Sequence, residues 1–231
     1  MNWQQAIDNN RDTLLKIILA LVASLGLTDG GVLKTLPKFL YRRAMRIIVP
    51  AESAVRRLIM MALYEMKLRG VKMSVLPRTR TTFTNFMLLN AQQADHVPAF
   101  NLLDPRKDFD LEEPDYASFG PSEDDNDDYY MHDGEGEYVA PDKTPVPAAS
   151  LSRRLLALKA ALENLPKQAK RLARWYEQRD AAYAENQPHL FSPMRPGLPL
   201  GYRKHKRDEI DEVMLDCHSL AQYAQDRRDT S

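Results

Sequence analysis

The chain has 231 residues, of which 44% are apolar and 28% are charged, a composition that suits one or two globular domains. Its single cysteine, Cys217, excludes an internal disulfide, and its five histidines show no metal-ligand spacing, so we expect neither a metal nor another cofactor. The sequence contains no glycine-rich phosphate loop, nucleophile elbow or paired-cysteine motif. We therefore predict that the protein is not an enzyme.

The neutral total charge conceals three regions of different sign. Residues 1–103 carry 14 Lys and Arg against 6 Asp and Glu, and residues 104–137 carry 2 against 14. Residues 138–231 carry 16 against 12. Such an asymmetry indicates either a polyanionic partner or neutralisation within the chain.

The N-terminal segment predicts a long helix over residues 2–25, ended by Gly26 in a left-handed conformation. Its apolar residues recur at steps of four and three, and the polar Asn10 and Ser24 lie in the same seam. These two residues either fix the register of the helix or lie exposed. The run 14–27 is apolar nearly all round, but it is too short for a membrane span and lacks the features of a signal peptide.

Two further helices are expected between residues 35 and 70, because Pro50 can end one helix and begin the next. Gly70 would end the second of them. Their arginines, with two from a later helix, form basic faces that could bind a polyanion: Arg42, Arg43, Arg46, Arg56, Arg57, Arg171 and Arg174. We interpret residues 1–100 as an N-terminal basic helical bundle with a short irregular or strand-like tail.

Residues 101–149 form a predicted acidic linker. Carboxylates, prolines and glycines leave this segment too little apolar surface to offset the entropy of ordering, so we expect disorder over about 104–149. Its charge would allow it to lie across the basic helices and screen them until a polyanion competes.

Residues 150–231 are predicted to form a helical hairpin, a proline-rich connector and a terminal helix. We expect Ser150 to be the N-cap of the first helix, and Pro166 to mark either the turn of the hairpin or a bend in one helix. The candidate partner-binding residues form a leucine seam at steps of four and three: Leu151, Leu155, Leu158, Leu162 and Leu165. The seam would pack either against the N-terminal helices or against a partner.

The connector, "SPMRPGLPLGYRKHKR" at residues 192–207, admits three interpretations. A hook in the minor groove of DNA would need a second arginine where this chain has a leucine, which disfavours that interpretation. A stiff, extended connector before a terminal helix that begins near Asp208 is favoured. Docking of the stretch to a partner protein is the remaining alternative.

Four stretches carry a resemblance to a known group of proteins: "NWQQAIDNNRDTLLKIILALVASLGL", "TLPKFLYRRAMRIIVPAESAVRRLI", "FNLLDPRKDF" and "FSPMRPGLPLGYRKHKRDEIDEVMLDCHSLA". Together they resemble an uncharacterised family of small bacterial proteins. The resemblance implies an intracellular bacterial protein without a signal sequence or cofactor. It assigns no catalytic or binding residue.

These patterns predict a mainly α-helical cytoplasmic protein in which helical bundle segments are separated by a long acidic disordered linker. The expected role is that of a protein–protein interaction or adaptor protein that binds an unidentified protein or a second copy of itself. The alternative is a nucleic-acid-associated protein whose basic helix faces are autoinhibited by the acidic linker. A third interpretation is peripheral membrane attachment through the apolar half of the first helix and its basic neighbours.

Overall fold

The computed structural model describes residues 3–26, 34–70, 98–104, 142–185, 192–195, 197–206 and 208–229. This part of the chain contains five helices, α1 (Trp3–Ser24), α2 (Lys38–Leu68), α3 (Ala149–Glu163), α4 (Leu165–Ala184) and α5 (Glu209–Asp229). Two short strands, β1 (Thr35–Pro37) and β2 (Pro145–Pro147), pair antiparallel with Leu36 opposite Val146. The prediction of a mainly α-helical protein is confirmed.

The long helix α2 is the element against which the other helices pack. At one end of the bundle, Trp3 of α1 meets Tyr64 of α2 edge-on, with 5.4 Å between ring centroids, and stacks on Tyr223 of α5 at 5.9 Å. These contacts place the start of α1 beside the ends of α2 and α5, so α1 is antiparallel to both. One core contains buried residues from all five helices, and the N-terminal and C-terminal segments therefore share it.

Helix α1 matches the predicted helix to within one residue at each end. Gly26 has a φ of 66°, the left-handed conformation expected of a helix stop. Asn10 is 8% exposed, and its Nδ2 donates to the carbonyl of Ala6 and, at 3.4 Å, to Oδ2 of Asp216 in α5. Asn10 thus links two helices, as a register-fixing residue should, whereas Ser24 is exposed.

The prediction of two helices that meet at Pro50 is wrong, because one helix continues through this residue. Pro50 has no backbone N–H, so the carbonyl of Arg46, four residues earlier, loses its helical hydrogen bond. Nη2 of Arg203 donates to that carbonyl at 2.7 Å. The helix tolerates the proline because a distant arginine satisfies the acceptor.

The predicted disorder over residues 104–149 extends too far at both ends. Asp104 is 2% exposed and ion-paired, and residues 142–149 contain β2 and the start of α3. Asp142 accepts hydrogen bonds from Thr144 and pairs with Lys38 at 3.0 Å, contacts that lower its pKa. The central residues 105–141 lie outside the described residues, as does most of the predicted strand-like tail, residues 71–97.

Helix α3 begins at Ala149, so the predicted N-cap, Ser150, is already inside the helix. Ala148 precedes the helix, and its side chain cannot accept a hydrogen bond from the free N–H groups of the first turn. Its own backbone N–H instead donates to the carbonyl of Lys34 at 3.0 Å. The start of α3 is therefore fixed by its attachment to β1 rather than by a capping side chain.

Helices α3 and α4 are separated by one residue, Asn164. Arg154 of α3 contacts Glu52 of α2, whereas Tyr176 of α4 lies beside Tyr64, three turns further along α2. The two helices therefore follow each other along α2, and the predicted helical hairpin is wrong. The alternative that was left open, a bend close to Pro166, agrees with the structure.

Candidate functional site

The five leucines predicted to bind a partner lie in the shared core. Their exposed fractions are between 0% and 4%, for Leu151, Leu155, Leu158, Leu162 and Leu165. In this fold the seam packs against residues of the same chain, which is one of the two arrangements predicted for it. A role in binding a partner stays a prediction, and it would require α3 to leave the bundle.

The seven arginines predicted to bind a polyanion do not share one solvent-exposed surface. Arg56 and Arg57 are only 4% and 1% exposed, so they cannot contact a polyanion without unfolding. The remaining five are exposed or partly buried on two helices: Arg42, Arg43 and Arg46 on α2, and Arg171 and Arg174 on α4. A polyanion-binding role for these five stays a prediction.

Arg57 and Asp104 form a buried two-point ion pair. Nη1 and Nη2 of Arg57 donate to Oδ1 and Oδ2 of Asp104, each at 2.9 Å. Arg56 lies 3.3 Å from Asp104 and 3.4 Å from Glu52, and burial lowers its pKa while these two carboxylates oppose the change. Removing such charges from water is costly, and it is tolerated where each charge is paired and hydrogen-bonded.

The same aspartate holds the connector in place. The backbone N–H of Asp104 donates to the carbonyl of Ser192 at 2.9 Å, and its Oδ2 accepts from the backbone N–H of Arg195 at 3.3 Å. We call Arg56, Arg57, Asp104, Ser192 and Arg195 the Asp104 cluster. Arg56, Arg57 and Asp104 are buried, Ser192 and Arg195 are partly buried, and together they join α2 to two separate segments of the chain.

From the Asp104 cluster the connector continues onto the proline of α2. Gly201 has a φ of 80°, and a Cβ at this position would lie 2.8 Å from the backbone nitrogen of Pro50. Only glycine permits both this conformation and this approach. Arg203 follows two residues later and bonds the Arg46 carbonyl. The stretch therefore acts as a connector packed on α2, the interpretation favoured from the sequence.

An open cleft of about 550 Å³ lies between α1, α2 and the start of α5. Its lining is largely apolar: Ile17, Ala20, Leu21, Leu25, Leu40, Ala44, Ile47 and Ile210. On the neighbouring face of α1, Leu19 is 48% exposed. The C-terminal half of α1 therefore has more apolar surface than the described part of the bundle covers.

Charged residues of both signs line the cleft. Lys16 of α1 and Arg43 of α2 form no hydrogen bond or ion pair with any described residue. Asp208 and Glu209, at the start of α5, supply two carboxylates, and Asp208 is paired with Arg203 at 3.3 Å. Among the described residues that line the cleft, Glu209 is therefore the one carboxylate without a cation beside it, opposite the two cations Lys16 and Arg43.

Sequence reasoning did not identify this cleft, because its walls come from both ends of the chain. The one available signal was the run 14–27, whose apolar residues surround the helix and need more cover than one neighbour provides. The sequence predicts Arg43 as a polyanion-binding residue and gives no reason to combine it with Lys16. It predicts Asp208 as the start of a helix, not as a wall of a cleft.

The other candidate features are less suited to a function. A second open depression, of about 710 Å³, lies between α1 and α5, and most of its lining residues are polar types, among them Lys206, Glu212 and Asp216. The described residues contain no cluster of His, Cys, Asp or Glu that could hold a metal ion. Cys217 is fully buried, which raises the pKa of its thiol and makes it a poor nucleophile. None of the described helices has the length and apolarity needed to cross a membrane.

Comparison with known proteins gives no match, whether to a family model, to a curated protein or to a solved structure.

Proposed function

We propose that this protein is a non-enzymatic interaction or adaptor protein, and that the cleft between α1, α2 and α5 docks an amphipathic helix of a partner protein. The observation that supports this proposal is the apolar cleft lining beside two cations, Lys16 and Arg43, that have no partner among the described residues. Grooves between helices commonly receive the apolar face of another helix, whose side chains at i, i+3 or i+4, and i+7 act as anchors.

The size of the cleft sets the expected affinity. Its volume of about 550 Å³ has room for several leucine-sized side chains. Each buried leucine contributes about 1.5–3 kcal/mol, and the loss of translational and rotational freedom on association offsets much of the sum. We expect dissociation constants in the micromolar range, as is common for reversible adaptor contacts.

The charges of the cleft define the chemistry of the partner. Lys16 and Arg43 lie on different walls, so a docked helix would need carboxylates on both sides of its apolar face. Like charges brought together in a partly buried interface are unfavourable, so a helix with lysines at those positions would bind less well. The occupant is therefore an acidic amphipathic helix.

A membrane surface fits the cleft less well than a helix. The apolar residues Leu21, Ala44 and Ile47 line a concavity, which a flat bilayer cannot fill. The carboxylates of Asp208 and Glu209 would also be repelled by anionic lipid headgroups. A polyanion fits less well again, because phosphates gain nothing from an apolar lining and the two buried arginines are unable to contact them.

The test uses the full-length protein and two designed helical peptides with identical leucine positions. One peptide carries glutamates and the other lysines beside the leucines, and fluorescence anisotropy measures their dissociation constants at low salt. We expect the wild type to prefer the acidic peptide, and the double variant Lys16→Glu/Arg43→Glu to lose that preference. Lys170→Glu, an exposed charge reversal on α4, is the matched control.

Three outcomes would count against the proposal. Equal binding of both peptides by the wild type would remove the assigned role of the charges. An equal loss of affinity in the Lys170→Glu control would show a nonspecific charge effect. Binding to phosphatidylglycerol vesicles that the double variant loses, without binding of either peptide, would indicate a membrane surface instead.

A further inference from the structure

Arg203 connects the acidic wall of the cleft to the proline of α2. Its Nη2 donates to the carbonyl of Arg46 at 2.7 Å, and its Nη1 lies 3.3 Å from Oδ2 of Asp208. The same Nη1 is 3.5 Å from Oδ2 of Asp211, which is 1% exposed. One guanidinium therefore contacts both α2 and the first turn of α5.

The backbone around Arg203 is held on both sides. On the N-terminal side, Gly201 packs directly against Pro50. On the C-terminal side, Oδ2 of Asp211 accepts a hydrogen bond from the backbone N–H of Asp208 at 3.4 Å, which caps the start of α5. Since Arg203 is placed by contacts before and after it, its guanidinium has a defined position beside the cleft.

The pair with Asp208 changes the charge that a ligand meets. With Arg203 in place, the Asp208 carboxylate is paired with a cation, and among the described residues that line the cleft only Glu209 is left to oppose Lys16 and Arg43. Without Arg203, two carboxylates would oppose two cations, and the preference for an acidic ligand would decrease. In the sequence, Arg203 belongs to the basic connector, and nothing there links it to Lys16 or Arg43.

We infer that Arg203 determines the specificity of the cleft: by neutralising Asp208 it makes the rim basic and selects an acidic helix over a basic one. This inference rests on the proposed docking function. Arg203 acts through Asp208 and does not line the cleft itself, so it is a positioning residue rather than a ligand contact.

A purely structural role of Arg203 predicts a different result from charge selection. Arg203→Gln removes the positive charge, and its shorter side chain also weakens the contact with the Arg46 carbonyl. If Arg203 only supports α2 at Pro50, this variant changes both peptide affinities by the same factor. If it selects by charge, the ratio of the two affinities changes, and neutralising Asp208 as well restores the ratio.

The experiment measures the ratio of the dissociation constants of the acidic and basic peptides for four proteins: wild type, Arg203→Gln, Asp208→Asn and the double variant. We expect Arg203→Gln to reduce the acidic preference about three- to fivefold at low salt, the usual size for a partly exposed charge, with a smaller effect at high salt. The double variant should recover the wild-type ratio. Arg203→Lys keeps the charge and should keep the wild-type ratio. If Arg203→Gln fails to fold, Asp208→Asn alone tests the inference: it leaves the Arg203 charge beside the cleft without this partner and should raise the acidic preference, and an unchanged ratio would overturn the inference.

The outcomes separate this inference from the proposed function. If the wild type binds neither peptide, the proposed docking function and the inference about Arg203 are both wrong. If it prefers the acidic peptide and Arg203→Gln leaves the ratio unchanged, the docking function stands and the inference about Arg203 is wrong. Failure of Asp208→Asn to restore the ratio in the double variant would also overturn it, because the effect would then not pass through Asp208.

Discussion

Replacing Asp104 by asparagine should destabilise this protein strongly, although the side chain keeps its shape. The change removes the negative charge that faces both arms of Arg57 at 2.9 Å. Arg57 is 1% exposed, so its charge would remain buried without a full counter-charge. One of the two oxygens of Asp104 would also become an amide nitrogen, which cannot accept a hydrogen bond.

The contacts set the expected magnitude. Removing one partner of a buried ion pair costs about 3–5 kcal/mol, because the other charge stays desolvated. Asparagine retains one acceptor for Arg57, and Glu52 still lies 3.4 Å from Arg56, so part of the stabilisation survives. We therefore expect a loss of about 2–4 kcal/mol, a large fraction of the about 5–15 kcal/mol that stabilises a typical protein.

Urea unfolding of the wild type, Asp104→Asn and Asp142→Asn measures this loss. Asp142 is the matched control, because it also pairs with a cation of α2, Lys38 at 3.0 Å, but its side chain is 41% exposed. Water screens exposed ion pairs and leaves them a small contribution, so Asp142→Asn should change the free energy of unfolding little. Equal effects of the two variants would refute the assignment of Asp104 as a buried junction.

A second variant separates the unpaired charge from lost packing. Adding Arg57→Met to Asp104→Asn removes the buried cation while it keeps an apolar stem of similar length. If the cost comes from the unpaired charge, the double variant should be more stable than Asp104→Asn alone. A double variant that is less stable would show that the contacts of the Arg57 stem matter more than its charge.

Three further outcomes are expected. Leu158→Ala, at a fully buried position, should lower the free energy of unfolding by about 2–5 kcal/mol and reduce amide protection in α1 as well as in α3. Reduced protection in α3 alone would contradict a shared core. Gly201→Ala should destabilise the protein more than Gly70→Ala: both glycines have a positive φ, but of the two only Gly201 has a neighbour, Pro50, within 4 Å of an added Cβ. Equal unfolding midpoints of the two variants would refute this. The raised pKa of Cys217 keeps the thiol protonated in the folded state, so the free energy of unfolding should fall as pH rises above about 9, where the unfolded thiol ionises. Cys217→Ala should weaken this pH dependence, and an unchanged dependence would contradict the reasoning.

Helix ends marked by local residues could be predicted from the sequence. Gly26 and Gly70 both adopt the left-handed conformation expected at a helix end, because this signal depends on one residue's own steric freedom. Pro50 carries an equally local signal, yet α2 continues through it. Its missing hydrogen bond is replaced from Arg203, whose position in space is not encoded near Pro50 in the chain.

Burial of the arginines could not be predicted for a similar reason. The pairs at residues 42–43 and 56–57 are separated by 14 residues, close to four turns of a helix, so they lie near the same face of α2. Helical periodicity therefore predicts the same degree of burial for both pairs. They differ in the structure because the segment 98–104 brings Asp104 to the second pair, whereas Arg43 faces the cleft.

Ion pairs at the two ends of the acidic segment explain part of the charge asymmetry of the chain. The described residues at both ends of the acidic segment are held by cations of α2, Asp104 by Arg57 and Asp142 by Lys38. Part of the basic charge of α2 is therefore neutralised within the chain, which was one of the two explanations that the sequence left open. Cations that are already paired within the chain are not available to a polyanion, so only the unpaired cations of a basic helix can indicate a polyanionic partner. At the cleft, Lys16 and Arg43 have no described partner and lie beside apolar residues, a combination that suits the carboxylates of an amphipathic helix better than the phosphates of a nucleic acid.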